Sequence, residues 1–267
     1  MPEDWFALYT LHSTPCTLHS TSSVGRIPFS MKRFVSIGLL VPWIIAGSVK
    51  TAPAEEVVIL LHGIANIPLS MKYLENSLEK AGYEVHNMGY PSTDVPIEEA
   101  AARIREKVMA MSGTRRINFV GHSMGNLVIR LVLADNMPGL GRVVMIAPPN
   151  QGSFMAQRLK DLDVFRWIFG QAGQQLPADN RAFFENLPIP DCEFGIIAGG
   201  RGTEDGFNLL LEGDDDGTVS VEETKLPGAA DFTLVNNTHT LILFDPETVQ
   251  QTISFLKTGR FKKQKEE

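Results

Sequence analysis

The chain has 267 residues, 43% apolar and 21% charged, which is the composition of a folded domain with a sizeable core. Its net charge of −7, with no basic stripe in the body of the chain, argues against a nucleic-acid partner. Only two cysteines occur, Cys16 and Cys192, so there is no disulfide framework to build on.

The first 30 residues are rich in Ser and Thr and lack hydrophobic periodicity, so they are expected to be disordered or to precede the true start at Met31. From Met31 the chain reads Lys32-Arg33, an apolar run from Phe34 to about Gly47, then Ala52-Pro53-Ala54. A positive start, a short apolar core and an Ala-x-Ala site predict a signal peptide over 31–54 and export to the periplasm or beyond. The alternative is an uncleaved segment that anchors the protein. No cysteine lies beside the cleavage point, which disfavours a lipoprotein. After processing only Cys192 remains; no histidine flanks it, and a structural role is expected.

The folded part is expected over 55–261, with a charged tail at 262–267. Val57-Val58-Ile59-Leu60-Leu61 is a continuous apolar run, suited to a central strand buried on both faces. A loop follows at His62-Gly63-Ile64, and Met71, Leu74, Leu78 and Ala81 recur at helical spacing. Tyr83–Met88 predicts a second strand, ended by Gly89-Tyr90-Pro91-Ser92. Pro96 opens a helix with Glu98 and Glu99 in its first turn. Further strands are expected at 117–120, 142–147, 194–198 and 232–235, with a closing helix from about Pro246 to Lys257. Alternating strands and helices imply a parallel sheet covered on both faces, with active residues on loops at the carboxyl ends of the strands. An insertion over about 150–191 carries Phe154, Phe165, Trp167, Phe183 and Phe184. It reads equally well as an apolar cap over the active site or as two extra surface helices with an ordinary packed face.

The third strand runs into Gly121-His122-Ser123-Met124-Gly125, and a helical pattern starts at once. A serine held in such a strand–turn–helix junction needs near-absent side chains two positions either side, and Gly121 and Gly125 supply them. Serine is a poor nucleophile without a base. The base in this architecture follows an acid, and His239 is the one histidine downstream of Ser123. The acid falls within Asp214-Asp215-Asp216, with Asp216 preferred because Gly217 permits the turn, and Asp215 second. The same stretch nearly matches a calcium loop, but Lys225-Leu226-Pro227-Gly228 breaks the exit helix which that would need. An oxyanion hole would use the backbone N–H groups of Met124 and Ile64. His62 and His122 read as loop-ordering residues, and His86 as structural.

Leu60-Leu61-His62-Gly63, Gly121–Gly125, Asp216-Gly217-Thr218-Val219 and Thr238-His239-Thr240 together resemble the α/β-hydrolase superfamily. Within it, the chain is similar to bacterial PGAP1-like and triacylglycerol-lipase-like serine esterases, on the further motifs Tyr90-Pro91-Ser92 and Ala147–Ser153. The resemblance implies an α/β-hydrolase fold trimmed to about six mostly parallel strands, with a small helical insertion. It implies Ser123, Asp216 and His239 as nucleophile, acid and base of an ester hydrolase. It implies no cofactor, no metal, a small ester or lipid substrate, and contact with membrane surfaces. A thioesterase or acyltransferase would use the same triad. A non-catalytic binding protein on this fold is the reading from another class.

Overall fold

The computed structural model describes residues 56–111 and 115–263. The expected leader, the segment ahead of Met31 and most of the charged tail lie outside the described residues.

Six strands form one sheet in the order β2-β1-β3-β4-β5-β6, and every neighbouring pair is parallel. They are β1 Glu56–Leu61, β2 Glu84–Met88, β3 Arg116–His122, β4 Leu140–Ile146, β5 Phe194–Gly200 and β6 Asp231–Asn236. The strands and the joining helices fall where the apolar runs and periodicities place them, with ends shifted by a few residues. Strand β3 runs on to His122 and so delivers Ser123 directly from the sheet.

The sheet is buried on both faces, as continuous apolar strands require. Val57, Ile59, Leu61, Phe119, Val143 and Met145 pack toward α2 (Ile97–Met111) and α3 (Gly125–Val132). Val58, Leu60, Val120, Val144 and Ile197 pack on the other side with Leu74, Leu78, Val249 and Phe255. Those last four come from α1 (Lys72–Lys80) and α8 (Pro246–Thr258). The period-2 alternation within each strand thus feeds two cores. Asp245 caps α8 by accepting from the Glu247 N–H, with Pro246 at the first helical position, where its missing donor costs nothing.

The insertion is built of helices with a packed face, one helix more than the two expected. It holds three short helices, α4 Phe154–Leu159, α5 Asp163–Gly173 and α6 Arg181–Asn186. Phe165, Ala172, Leu176 and Phe184 join the main core, so it is no loose cover. Its glutamines fasten it to the β2–α2 connection. Gln171 donates from its backbone to Thr93 O (2.9 Å) and from its side chain to Asp94 O (3.0 Å). Gln175 Oε1 accepts from Ile97 N–H at the start of α2 (2.7 Å), and its Nε2 donates to Glu98 (2.7 Å). Helix α5 kinks at Gly170 (φ 53°), where an added Cβ would sit 2.3 Å from Thr93 O. Glycine lets the backbones meet at this clamp.

Candidate active site

Ser123 sits at the junction of β3 and α3 with φ 52°, a left-handed conformation that costs a non-glycine residue on the order of 1–3 kcal/mol. The surroundings over-determine it. Ser123 N–H donates to Ile146 O on β4 (2.9 Å). Asn126, wholly buried, donates from Nδ2 to Ser123 O (3.0 Å) and to Ile146 O (3.1 Å). The flanking glycines are required by contact. An added Cβ would lie 2.3 Å from Asn126 Oδ1 at Gly121 and 2.4 Å from Leu61 O at Gly125. Helix α3 can therefore press its first turn onto the end of β1.

His239 Nε2 lies 2.9 Å from Ser123 Oγ, and its Nδ1 lies 2.6 Å from Asp216 Oδ2. With Asp216 ionised, Nδ1–H donates to the carboxylate, leaving Nε2 as acceptor for the serine O–H. The His239 backbone is held as well. Its N–H donates to Asp216 O (2.8 Å), and its C=O accepts from His122 Nε2–H (2.8 Å). The arrangement can take the proton of the serine hydroxyl and stabilise the imidazolium that results.

The three consecutive aspartates do three different things. Asp214 accepts from the backbone N–H groups of Arg201 (2.7 Å) and Gly202 (2.8 Å), tying the loop to the end of β5. Asp215, fully buried, accepts from Gly217 N–H (2.6 Å) and Asn208 N–H (3.0 Å). Asp216 alone of the three meets His239. Its Oδ1 accepts from Thr218 (2.9 Å) and Val219 (2.8 Å) N–H groups, which fixes the carboxylate's aim. With their carboxylates turned to separate backbone donors, these aspartates do not form a calcium loop. No group of three or more His, Cys, Asp or Glu side chains able to hold a metal occurs among the described residues. The single-turn α7 (Val221–Thr224) follows, started by a reciprocal Ser220–Glu223 cap. Glu223 also accepts from Phe154 N–H, joining the acid's loop to the insertion. Burial raises its pKa, opposed by hydrogen bonds from Ser220 and Phe154, while the nearby charge of Asp216 raises it further.

The loop after β1 lies against the serine. A Cβ on Gly63 would be 3.0 Å from Ser123 Cβ and 3.5 Å from Oγ. The backbone N–H groups of Ile64 and Met124 form no hydrogen bond to another described residue. Tyr90 secures this loop: its hydroxyl donates to His62 O, and its ring stacks on His62 with centroids 4.5 Å apart. That role belongs to the Tyr90-Pro91-Ser92 motif, whose physical purpose the sequence alone does not reveal.

His122 is fully buried, and burial together with the neighbouring His239 brings its pKa down to about 3. It stays neutral near pH 7 and acts as an Nε2–H donor, so its loop-ordering role extends to the backbone of His239. Its Nδ1 has no hydrogen-bond partner. His62 is shifted down by burial. His86 pairs with Glu84 (2.8 Å) on the edge strand β2, which β1 separates from β3. Cys192 is raised to about 11, first by burial and then by Asp191 and Glu193, so its thiol is a poor nucleophile at neutral pH.

A family model described as the alpha/beta hydrolase fold matches residues 56–188, which include Ser123 but end before Asp216 and His239. Triacylglycerol lipases of Pseudarthrobacter phenanthrenivorans and Burkholderia plantarii are each 31% identical over 117 residues, covering 39% of this chain. The match covers 36% and 32% of those lipases, about a third of their length. Among solved structures, a mature lipase of Bacillus licheniformis superposes with a TM-score of 0.57 at 20% identity, covering 78% of this chain and 93% of the lipase. Phospholipase PlaB of Legionella pneumophila gives 0.58 at 16% identity, covering 79% and 60%. These likenesses, with the all-parallel sheet and the strained serine turn, show that the chain has the α/β-hydrolase fold.

Proposed function

We propose that the protein is a serine carboxylester hydrolase acting on lipid-like acyl esters. The observation that carries this reading is the unbroken hydrogen-bonded line from Asp216 through His239 to Ser123 at a left-handed turn. Ser123 Oγ attacks the ester carbonyl carbon as its proton passes to His239 Nε2. The oxygen that gains charge is met by the N–H groups of Met124 and Ile64. His239 then protonates the departing alkoxide, the alcohol leaves, and the acyl group stays on Ser123. Water attacks that acyl-enzyme, giving its proton to His239. The carboxylic acid departs, and Ser123 regains its proton. Neither a metal nor an organic cofactor enters any step.

Two features favour an apolar acyl substrate. The triacylglycerol lipases to which the chain is similar supply the substrate class. The second feature is the rim. In an all-parallel sheet, every loop after a strand emerges at the same edge, the edge where Ser123 lies. Four such connections carry exposed large apolar side chains: Ile67 and Leu69; Val164 and Trp167; Leu209 and Leu210; Leu241 and Phe244. Trp167 is 84% exposed and Leu209 is 93% exposed, at positions where a monomeric surface gains nothing from them. Such a rim suits contact with aggregated lipid.

Replacing Ser123 by Ala is expected to lower turnover of p-nitrophenyl esters by at least about 10³-fold, with an unchanged circular dichroism spectrum. Retained turnover in that variant would refute the proposal.

A further inference from the structure

Helix α3 carries Arg130, which is almost completely buried yet has no carboxylate partner among the described residues. Its guanidinium donates to Pro188 O (2.8 Å), Leu187 O (2.8 Å), Asn150 O (3.3 Å) and Asn150 Oδ1 (3.4 Å). All four acceptors are neutral, so the hydrogen bonds orient the group without cancelling its charge. Burial lowers its pKa to about 10, which leaves it cationic at neutral pH. A buried charge with no opposite charge is costly unless something offsets it.

Arg130 lines a cavity of about 690 Å³ between the insertion and the segment after α7. Ser123, Asp216 and His239 are absent from its wall. Arg181 and Lys225 line it too, against one acid, Glu185. Arg181 is exposed and makes no ion pair with a described residue, and Lys225 pairs with Glu222 across the exposed face of α7 (2.6 Å). The rest of the wall is partly apolar, with Phe184, Ile189 and Leu226. A positive field beside hydrocarbon, in a volume typical of small-molecule sites, fits a ligand with one anionic end and one apolar end.

We propose that this cavity binds an amphiphilic carboxylate, its head group held by Arg181 and Lys225 above the charge of Arg130 and its hydrocarbon laid along Phe184, Ile189 and Leu226. The site is separate from Ser123, and its existence does not depend on the ester-hydrolase reading. The wall beside Arg130, however, also touches the acid's support. Gln151 N–H donates to Glu223 O (3.1 Å), and Asn150 Nδ2 donates to Thr224 O (2.8 Å), both on α7. Occupancy would therefore stiffen the turn that follows Asp216.

The test is calorimetric titration of the full chain with octanoate, octanol and inorganic phosphate, each below any micellar concentration. The wild type is expected to bind octanoate at one site, with octanol and phosphate each at least about tenfold weaker. Arg181→Glu combined with Lys225→Glu should weaken octanoate at least about tenfold while the circular dichroism spectrum is kept, because both side chains are exposed. Arg181→Gln alone, which adds no repulsion, should weaken it about threefold. Octanoate bound equally by the wild type and the double variant would place the ligand elsewhere and overturn the proposal. So would phosphate binding as tight as octanoate, or no octanoate binding up to about 10 mM.

Discussion

Ser123 and His239 meet at 2.9 Å but are positioned by opposite means. Ser123 is placed by the sheet, at the end of a central strand, with Gly121 and Gly125 letting β3, α3 and β1 close around it. His239 is placed by loops. It lies beyond the last strand and is held at its N–H by Asp216 O, at its C=O by His122 and at its ring by the Asp216 carboxylate. At Ser123 the sheet supplies most of the rigidity and the buried Asn126 amide fastens the turn, whereas the loop that carries His239 takes its rigidity from a larger set of polar contacts. That is why a run of aspartates, each accepting from backbone N–H groups, sits on the His239 side and none on the Ser123 side.

The contrast is tested hardest at neighbouring carboxylates. Asp216→Asn is expected to reduce kcat by about 10³–10⁴, because an amide there favours the wrong imidazole tautomer. Asp215→Asn, one residue away and equally buried, should cost less than about tenfold in kcat, yet lower stability by about 1–3 kcal/mol through weakened acceptors for Asn208 and Gly217. Paired kinetics and urea denaturation of the two variants check this. Equal kcat losses would mean that the acid has no dedicated residue.

A medium effect is expected from the histidine that joins the two regions. The His122 pKa falls from about 6.5 unfolded to about 3 folded, so below pH 6.5 the unfolded chain binds a proton that the folded chain refuses. Stability should therefore fall as pH drops, by up to about 1.4 kcal/mol per unit between pH 6.5 and 3 from this residue alone. His122→Gln keeps a donor for His239 O but cannot titrate, and should flatten that slope. Denaturation midpoints measured from pH 7.5 to 4 compare the two; parallel curves would remove His122 from the account.

The smallest effect belongs to the insertion clamp. Gln175→Ala is expected to cost about 1 kcal/mol, from the lost acceptor at the α2 N-terminus, and to leave kcat within about twofold. Thermal denaturation together with ester turnover checks both halves. A large kcat loss would make the insertion part of the reacting machinery.

Much of this was legible in the sequence, for local reasons. Apolar runs mark buried strands, and the Gly121–Gly125 spacing reports a contact made within five residues. Ser123, Asp216 and His239 follow from strand order, and Gly217 points to Asp216. Contacts between distant parts of the chain were not legible. Gln175 reaches α2, Arg130 reaches the end of the insertion, and His122 reaches His239 across more than a hundred residues. A glutamine in a polar stretch, or an arginine within an amphipathic helix, looks the same whether its partner is water or a buried carbonyl. The insertion's third helix and the bonds of its glutamines to the β2–α2 connection were not legible for the same cause. Asn126 was missed although it lies beside the elbow. Its role is visible only once β4 brings Ile146 O within reach.

The central claim is that Ser123 is the one activated serine. It is tested most directly by treating the native protein with a fluorophosphonate probe and locating the adduct by peptide mass spectrometry. The expected result is a single adduct on Ser123, lost when His239 is replaced by Ala or when the protein is denatured first. No adduct, an adduct on another serine, or labelling that survives His239→Ala would contradict the account.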